Sequence, residues 1–217
     1  MRPVWVGCLL LLPVLSFVEC SGAFAANIDA TVLTSAGKPV EDAAVVLEPI
    51  AGVASKGHRT VTIEQRDREF LPYVSIVETG TLVEFPNRDA FKHHIYSFSS
   101  PKIFEIKLYA GKPVLPVLFD KPGEVALGCN IHDWMEAYVL VVNTPYFAKT
   151  GATGQVTMRN VPAGHYRLRV WHPRQLSEWA LRDIEIRSGS APTKLAMVAD
   201  IHARVLKPKP PVDSDKY

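Results

Sequence analysis

Turn signals recur every few residues along most of this 217-residue chain, and no long helical period appears between them. Gly37-Lys38-Pro39, Glu78-Thr79-Gly80, Gly111-Lys112-Pro113, Pro122-Gly123 and Asn160-Val161-Pro162-Ala163-Gly164 each separate short runs of alternating apolar and polar residues. Glycine supplies positive φ and proline withholds a donor, so such clusters end strands. Ile28, Ala30 and Val32 alternate with Asp29 and Thr31, and Tyr166, Leu168 and Val170 alternate with Arg167 and Arg169. Further strands are predicted at 43–47, 81–85, 93–98, 104–108, 114–119, 124–127, 138–142, 181–186 and 194–198, with one short helical turn at 177–181. A period of two between closely spaced turns predicts an all-β sandwich with Greek-key connections.

The start of the chain has a different texture. Arg2 is followed by an apolar run over residues 4–18 and then by Ala23-Phe24-Ala25. This is the charge, hydrophobic core and A-x-A site of a secretory signal peptide, with the mature chain expected from Ala26 and a periplasmic location. The apolar run is short for a membrane anchor, and no other stretch could span a membrane. Removing residues 1–25 takes away one arginine, Arg2, and one glutamate, Glu19, so the net charge stays at +2. No dense basic patch points to nucleic acid. Cys8 and Cys20 also leave, and Cys129 remains alone in an oxidising compartment. A lone cysteine is a buried apolar thiol, an intermolecular link or a metal ligand.

Its neighbours favour the third role. Cys129-Asn130-Ile131-His132-Asp133-Trp134-Met135 puts a thiolate, an imidazole and a thioether in one short loop. Two histidines and one cysteine with a weak axial methionine form a blue-copper site. C-x2-H also occurs in zinc sites, but structural zinc takes cysteine and histidine only, and here a methionine follows with no second cysteine. The fourth ligand must come from elsewhere, and His93, which opens a strand after the polar loop 87–92, can project from a rigid element. His94 competes with it, but alternation lets only one of the two face the site. His58, His165, His172 and His202 lack partners at ligand spacing and read as surface or hydrogen-bonded residues. Trp134 either fills the sandwich mouth or forms an apolar collar for a docking partner, and Trp171 and Tyr166 read as core. Asp133 and Glu136 flank the ligands without forming an acid–base pair, and no G-x-S-x-G motif is present. The chain is therefore not expected to be an enzyme.

The segment from Cys129 to Val141 resembles the ligand loop and final strand of the cupredoxins, the type 1 blue copper proteins. Its C-x2-H-x2-M loop is most like that of amicyanin; plastocyanin has a longer gap before its methionine. Residues 83–95 resemble the region of the first copper histidine, with Asn87 six residues before His93 and Ile95 two after it. The chain also resembles periplasmic cupredoxins of the methylamine-utilization type. The resemblance implies one type 1 copper ion held by His93, Cys129, His132 and Met135, and a role as a one-electron carrier. It further implies that the second histidine, His132, lies near the surface. Many cupredoxins carry asparagine after the first ligand, where this chain has His94. Residues 37–47 and 153–171 resemble the two halves of a carboxypeptidase-regulatory-like, Ig-like β-sandwich. The expected organisation is a signal peptide (1–25), a first half-sandwich (26–57), a cupredoxin domain (58–145), a second half-sandwich (146–206) and a disordered tail (207–217). The partner is then a redox protein. The alternatives are a copper-binding and delivery module serving a copper acceptor, or a partner-binding domain without a redox role.

Overall fold

The computed structural model describes residues 25–51, 59–113, 115–178, 180–189, 191–205 and 208–209. The signal peptide and the tail read from the sequence lie almost wholly outside these residues. The described residues form strands and turns and no helix. The helical turn expected at 177–181 is not formed: residues 177 and 178 are bends, and a strand begins at Ala180. That strand pairs with the neighbouring one from Gly164↔Ile186 to Val170↔Ala180, which commits the backbone of Ala180 and Leu181 to a ladder.

In chain order the strands are β1 (Ala25–Leu33), β2 (Ala44–Pro49), β3 (Thr60–Thr62), β4 (Glu64–Arg66), β5 (Glu69–Leu71) and β6 (Val74–Glu78). There follow β7 (Thr81–Glu84), β8 (His93–Ser97), β9 (Phe104–Tyr109), β10 (Val117–Phe119), β11 (Gly123–Gly128) and β12 (Glu136–Val142). The last are β13 (Phe147–Lys149), β14 (Gln155–Pro162), β15 (Gly164–Trp171), β16 (Ala180–Ile186) and β17 (Thr193–Val198).

Strands from the two ends of the chain form one pair of sheets, β14-β1-β17 and β13-β2-β15-β16. β1 lies between its partners, antiparallel to β14 and parallel to β17, so its alternate residues Ile28, Ala30 and Val32 all point one way. They meet Val45, Leu47, Leu168 and Val170 from the facing sheet in one apolar core. Gly154 closes the turn before β14 at φ +71°, where a Cβ would lie 2.4 Å from the Val32 carbonyl oxygen, so only glycine fits.

Strands from the middle of the chain form a second pair, β6-β12-β11-β8-β9 against β10-β7-β3. Their core holds Val83, Phe85, Ile95, Phe119, Val125 and Val139. Cys129 and Met135 belong to the same cluster. β12 reads as a near-continuous apolar run because both of its faces are covered. Val139 and Val141 enter the second core, while Leu140 and Val142 meet Ala44, Val46, Val74 and Trp171 in a third cluster between the two pairs of sheets.

His172, read as a surface or hydrogen-bonded residue, is the latter. It follows β15, is 2% exposed, and accepts a hydrogen bond at Nδ1 from the Arg174 backbone N–H at 3.1 Å. Burial, aided by the Arg174 charge and opposed by Asp42, pushes its pKa down from 6.5 to about 4. The folded protein thus holds the imidazole neutral where the unfolded chain would protonate it. This contribution is complete above about pH 6.5 and is lost as the pH falls toward 4, amounting to about 3 kcal/mol in all. Unfolding free energies measured from pH 7 to pH 4 are expected to fall less steeply in His172→Gln than in the wild type. Parallel slopes would exclude His172 as the cause.

Candidate metal centre

Three of the residues singled out in the sequence meet at one end of the second core. Cys129 follows the last residue of β11, His93 opens β8, and His132 lies in the loop between β11 and β12. β11 pairs with both β12 and β8, through Gly128↔Glu136 and Gly128↔Tyr96, so the loop and the start of β8 share one end of the sheet. The loop is drawn tight by the Met135 N–H, which donates to the His132 carbonyl at 2.9 Å.

The two Nδ1 atoms of His93 and His132 lie 3.2 Å apart, and Cys129 Sγ lies 3.8 Å from His132 Nδ1. All three donor atoms fall within 4.8 Å of one another. The 3.2 Å and 3.8 Å separations match two edges of a coordination polygon with metal–nitrogen bonds of about 2.0 Å and a metal–sulfur bond of about 2.3 Å. The donor chemistry, two imidazoles and one thiolate, fits copper. His93 is 0% exposed, His132 3%, Cys129 4% and Met135 2%.

His94 is not part of this cluster. His93 and Ile95 face the core, and His94 turns to the other side of β8, where Nε2 meets Glu105 Oε1 at 2.9 Å and the ring lies near Tyr96. β9 carries one extra residue opposite His93–Ile95, a bulge that leaves the alternation of β8 intact.

His132 is more deeply buried than the resemblance implied. The Trp134 ring lies 5.0 Å from its ring and the Phe91 ring 5.9 Å away, centroid to centroid. Trp134 Nε1–H donates to the Arg68 carbonyl at 3.2 Å, and the Arg68 guanidinium lies 5.7 Å from the indole centroid. Trp134 therefore caps the site and is itself fastened to the β4–β5 turn.

The sequence reading passed over Asp89. Its carboxylate is 2.7 Å from His93 Nε2 and accepts hydrogen bonds from the backbone N–H groups of Asp67 (2.7 Å) and Arg68 (3.0 Å). Burial raises its pKa, but the bonds from His93, Arg68 and Asp67 together outweigh that and hold it below the ordinary aspartate value. Asn87 shapes the loop that presents it. Its side-chain amide donates to the carbonyls of Phe91 (2.8 Å) and Tyr109 (3.0 Å), while its oxygen accepts the Asp89 N–H at 2.9 Å. The available signal was a carboxylate four residues before a candidate ligand histidine, inside a stretch that reads only as a polar loop.

An all-β sandwich thus gathers two histidines and its lone described cysteine at one end of its core, a donor set that fits copper. No family model matches the chain, and the search of curated proteins found no match either. Among solved structures it is similar to a Cu-containing nitrite reductase from Thermus scotoductus SA-01, at 27% identity over 45% of this chain, with a TM-score of 0.38. That match spans 26% of the reductase chain. It is also similar to a reduced mutant of amicyanin (15% identity, 45% of this chain, 97% of the other, TM-score 0.35). A purple cupredoxin from Nitrosopumilus maritimus is similar at 21% identity (37% of this chain, 97% of the other, TM-score 0.33).

Proposed function

We propose that the protein is an exported one-electron carrier in which His93, Cys129, His132 and Met135 would hold one type 1 copper ion. The observation that carries this reading is the burial of all four side chains, none more than 4% exposed. A closed, rigid donor set changes little between oxidation states, whereas a module that hands its metal to an acceptor needs an approach to its ligands. When bound, copper supplies a one-electron couple. Cys129 would contribute a thiolate donor, His93 and His132 two imidazole donors, and Met135 a weak thioether that tunes the potential. Because His132 is covered, an electron reaches a partner through the ring packed on it, and Trp134, part exposed, is the outward side of that contact. We read residues 58–145 as the copper-binding unit, inserted between two halves of a second sandwich at 26–57 and 146–206.

The purified protein titrated with Cu(II) is expected to bind one equivalent, develop a strong visible thiolate-to-copper band, and show a reversible one-electron wave. A protein that develops no such band would overturn the type 1 reading. Rapid transfer of copper to an acceptor with no reversible wave would favour delivery over electron transfer.

A further inference from the structure

Asp89 stands where it can act on the proposed copper site without touching the metal. His93 directs Nδ1 into the donor cluster and Nε2 at the Asp89 carboxylate, 2.7 Å away. That division fixes the tautomer: the proton sits on Nε2, shared with the carboxylate, and Nδ1 keeps its lone pair for a metal. The carboxylate is itself held. Its side chain is 9% exposed, one oxygen takes the Asp67 N–H, and the other takes the Arg68 N–H together with His93. Asp67 and Arg68 both have positive φ (54° and 58°), a turn in which successive N–H groups converge on one anion. The same turn holds Trp134 through the Arg68 carbonyl, and Trp134 packs on His132. Asp89 is thus bonded to one candidate ligand ring and, through one hairpin turn, to the residue that caps the other.

We infer that Asp89 is a positioning residue of the metal centre: it orients His93, strengthens it as a donor, and biases the site toward the oxidised ion. The inference rests on the proposed ligand set. A thiolate and one buried carboxylate balance a divalent ion, whereas a monovalent ion leaves one negative charge in excess. In a poorly solvated site that excess disfavours reduction. A hydrogen-bonded carboxylate also strengthens the imidazole as a donor, more toward Cu(II) than toward Cu(I).

Asp89→Asn keeps the shape but has one acceptor oxygen where the carboxylate takes the Asp67 and Arg68 N–H groups on two, and it removes the charge. The variant is expected to bind Cu(II) about 10- to 100-fold more weakly. The Cu(II)-to-Cu(I) affinity ratio should fall about tenfold, which raises the potential by about 59 mV for a one-electron couple. A second readout uses the metal-free protein. The His93 Nε2–H should give a low-field, slowly exchanging proton resonance in the wild type, and it should move upfield in Asp89→Asn. A wild type with the thiolate band but no low-field His93 resonance would overturn the inference alone, even if the variant failed to fold. So would an Asp89→Asn protein with unchanged affinity and potential. A wild type with no thiolate band would overturn the ligand set, and the inference with it.

Discussion

Replacing Cys129 by serine is expected to abolish the visible band of the copper-loaded protein entirely while leaving the fold in place. The band requires a copper–thiolate bond, and Cys129 is the only cysteine among the described residues. Serine occupies nearly the same volume, and its hydroxyl would lie near His132 Nδ1, now 3.8 Å from Sγ, so the polar atom has a partner in the metal-free state. The expected stability change is small, within about 1 to 2 kcal/mol. The remaining imidazoles can still bind Cu(II), so the variant should give the weak spectrum of a nitrogen- and oxygen-ligated ion. Absorption and spin-resonance spectra of both proteins at one equivalent of Cu(II), alongside unfolding of both without metal, separate lost ligation from lost fold. A serine variant that keeps the strong band would show that Cys129 is not the ligand.

The ease of reading this site from sequence follows from where its parts lie along the chain. Cys129, His132 and Met135 fall within seven residues, so their donor chemistry is visible without knowing the fold. His93 is remote in sequence, yet a strand start after a polar loop marks it, and alternation along β8 sends His94 the other way to Glu105. Asp89 was not legible in the same way. Its role depends on the β4–β5 turn folding back to donate two N–H groups to it, a contact across more than twenty residues with no periodic signature. Trp134 was legible as a residue at the sandwich mouth, but its fastening by the Arg68 carbonyl was hidden for the same reason. Which of the two readings of His172, surface or hydrogen-bonded, holds depends on β15 being an inner strand between β2 and β16, which the sequence does not show. The all-β class was plain because period-two alternation and turn chemistry agree along the chain. The apolar seam between the two sandwiches left only an indirect mark, the unbroken apolar run of β12.

That run sets up the second large effect. Leu140→Ala is expected to destabilise the protein by about 3 to 5 kcal/mol while leaving the copper spectrum unchanged. Leu140 is fully buried, and its neighbours come from both sandwiches: Ala44, Val46 and Trp171 from one, Val74 and Val142 from the other. Truncation removes the transfer energy of the lost carbons and opens a cavity that two paired sheets cannot close by sliding. β12 is held on one side by β11 and on the other by β6, so its backbone stays in register. Val139 and Val141 point the opposite way, into the core that holds Cys129 and Met135, which insulates the donor cluster from the change. Denaturant unfolding of the metal-free proteins, with Val198→Ala at an exposed strand position as control, measures the loss. A loss under about 1 kcal/mol would mean that the seam does not bear the stability of the joined sandwiches. A shifted copper band would mean that the seam and the metal centre are mechanically coupled through β12.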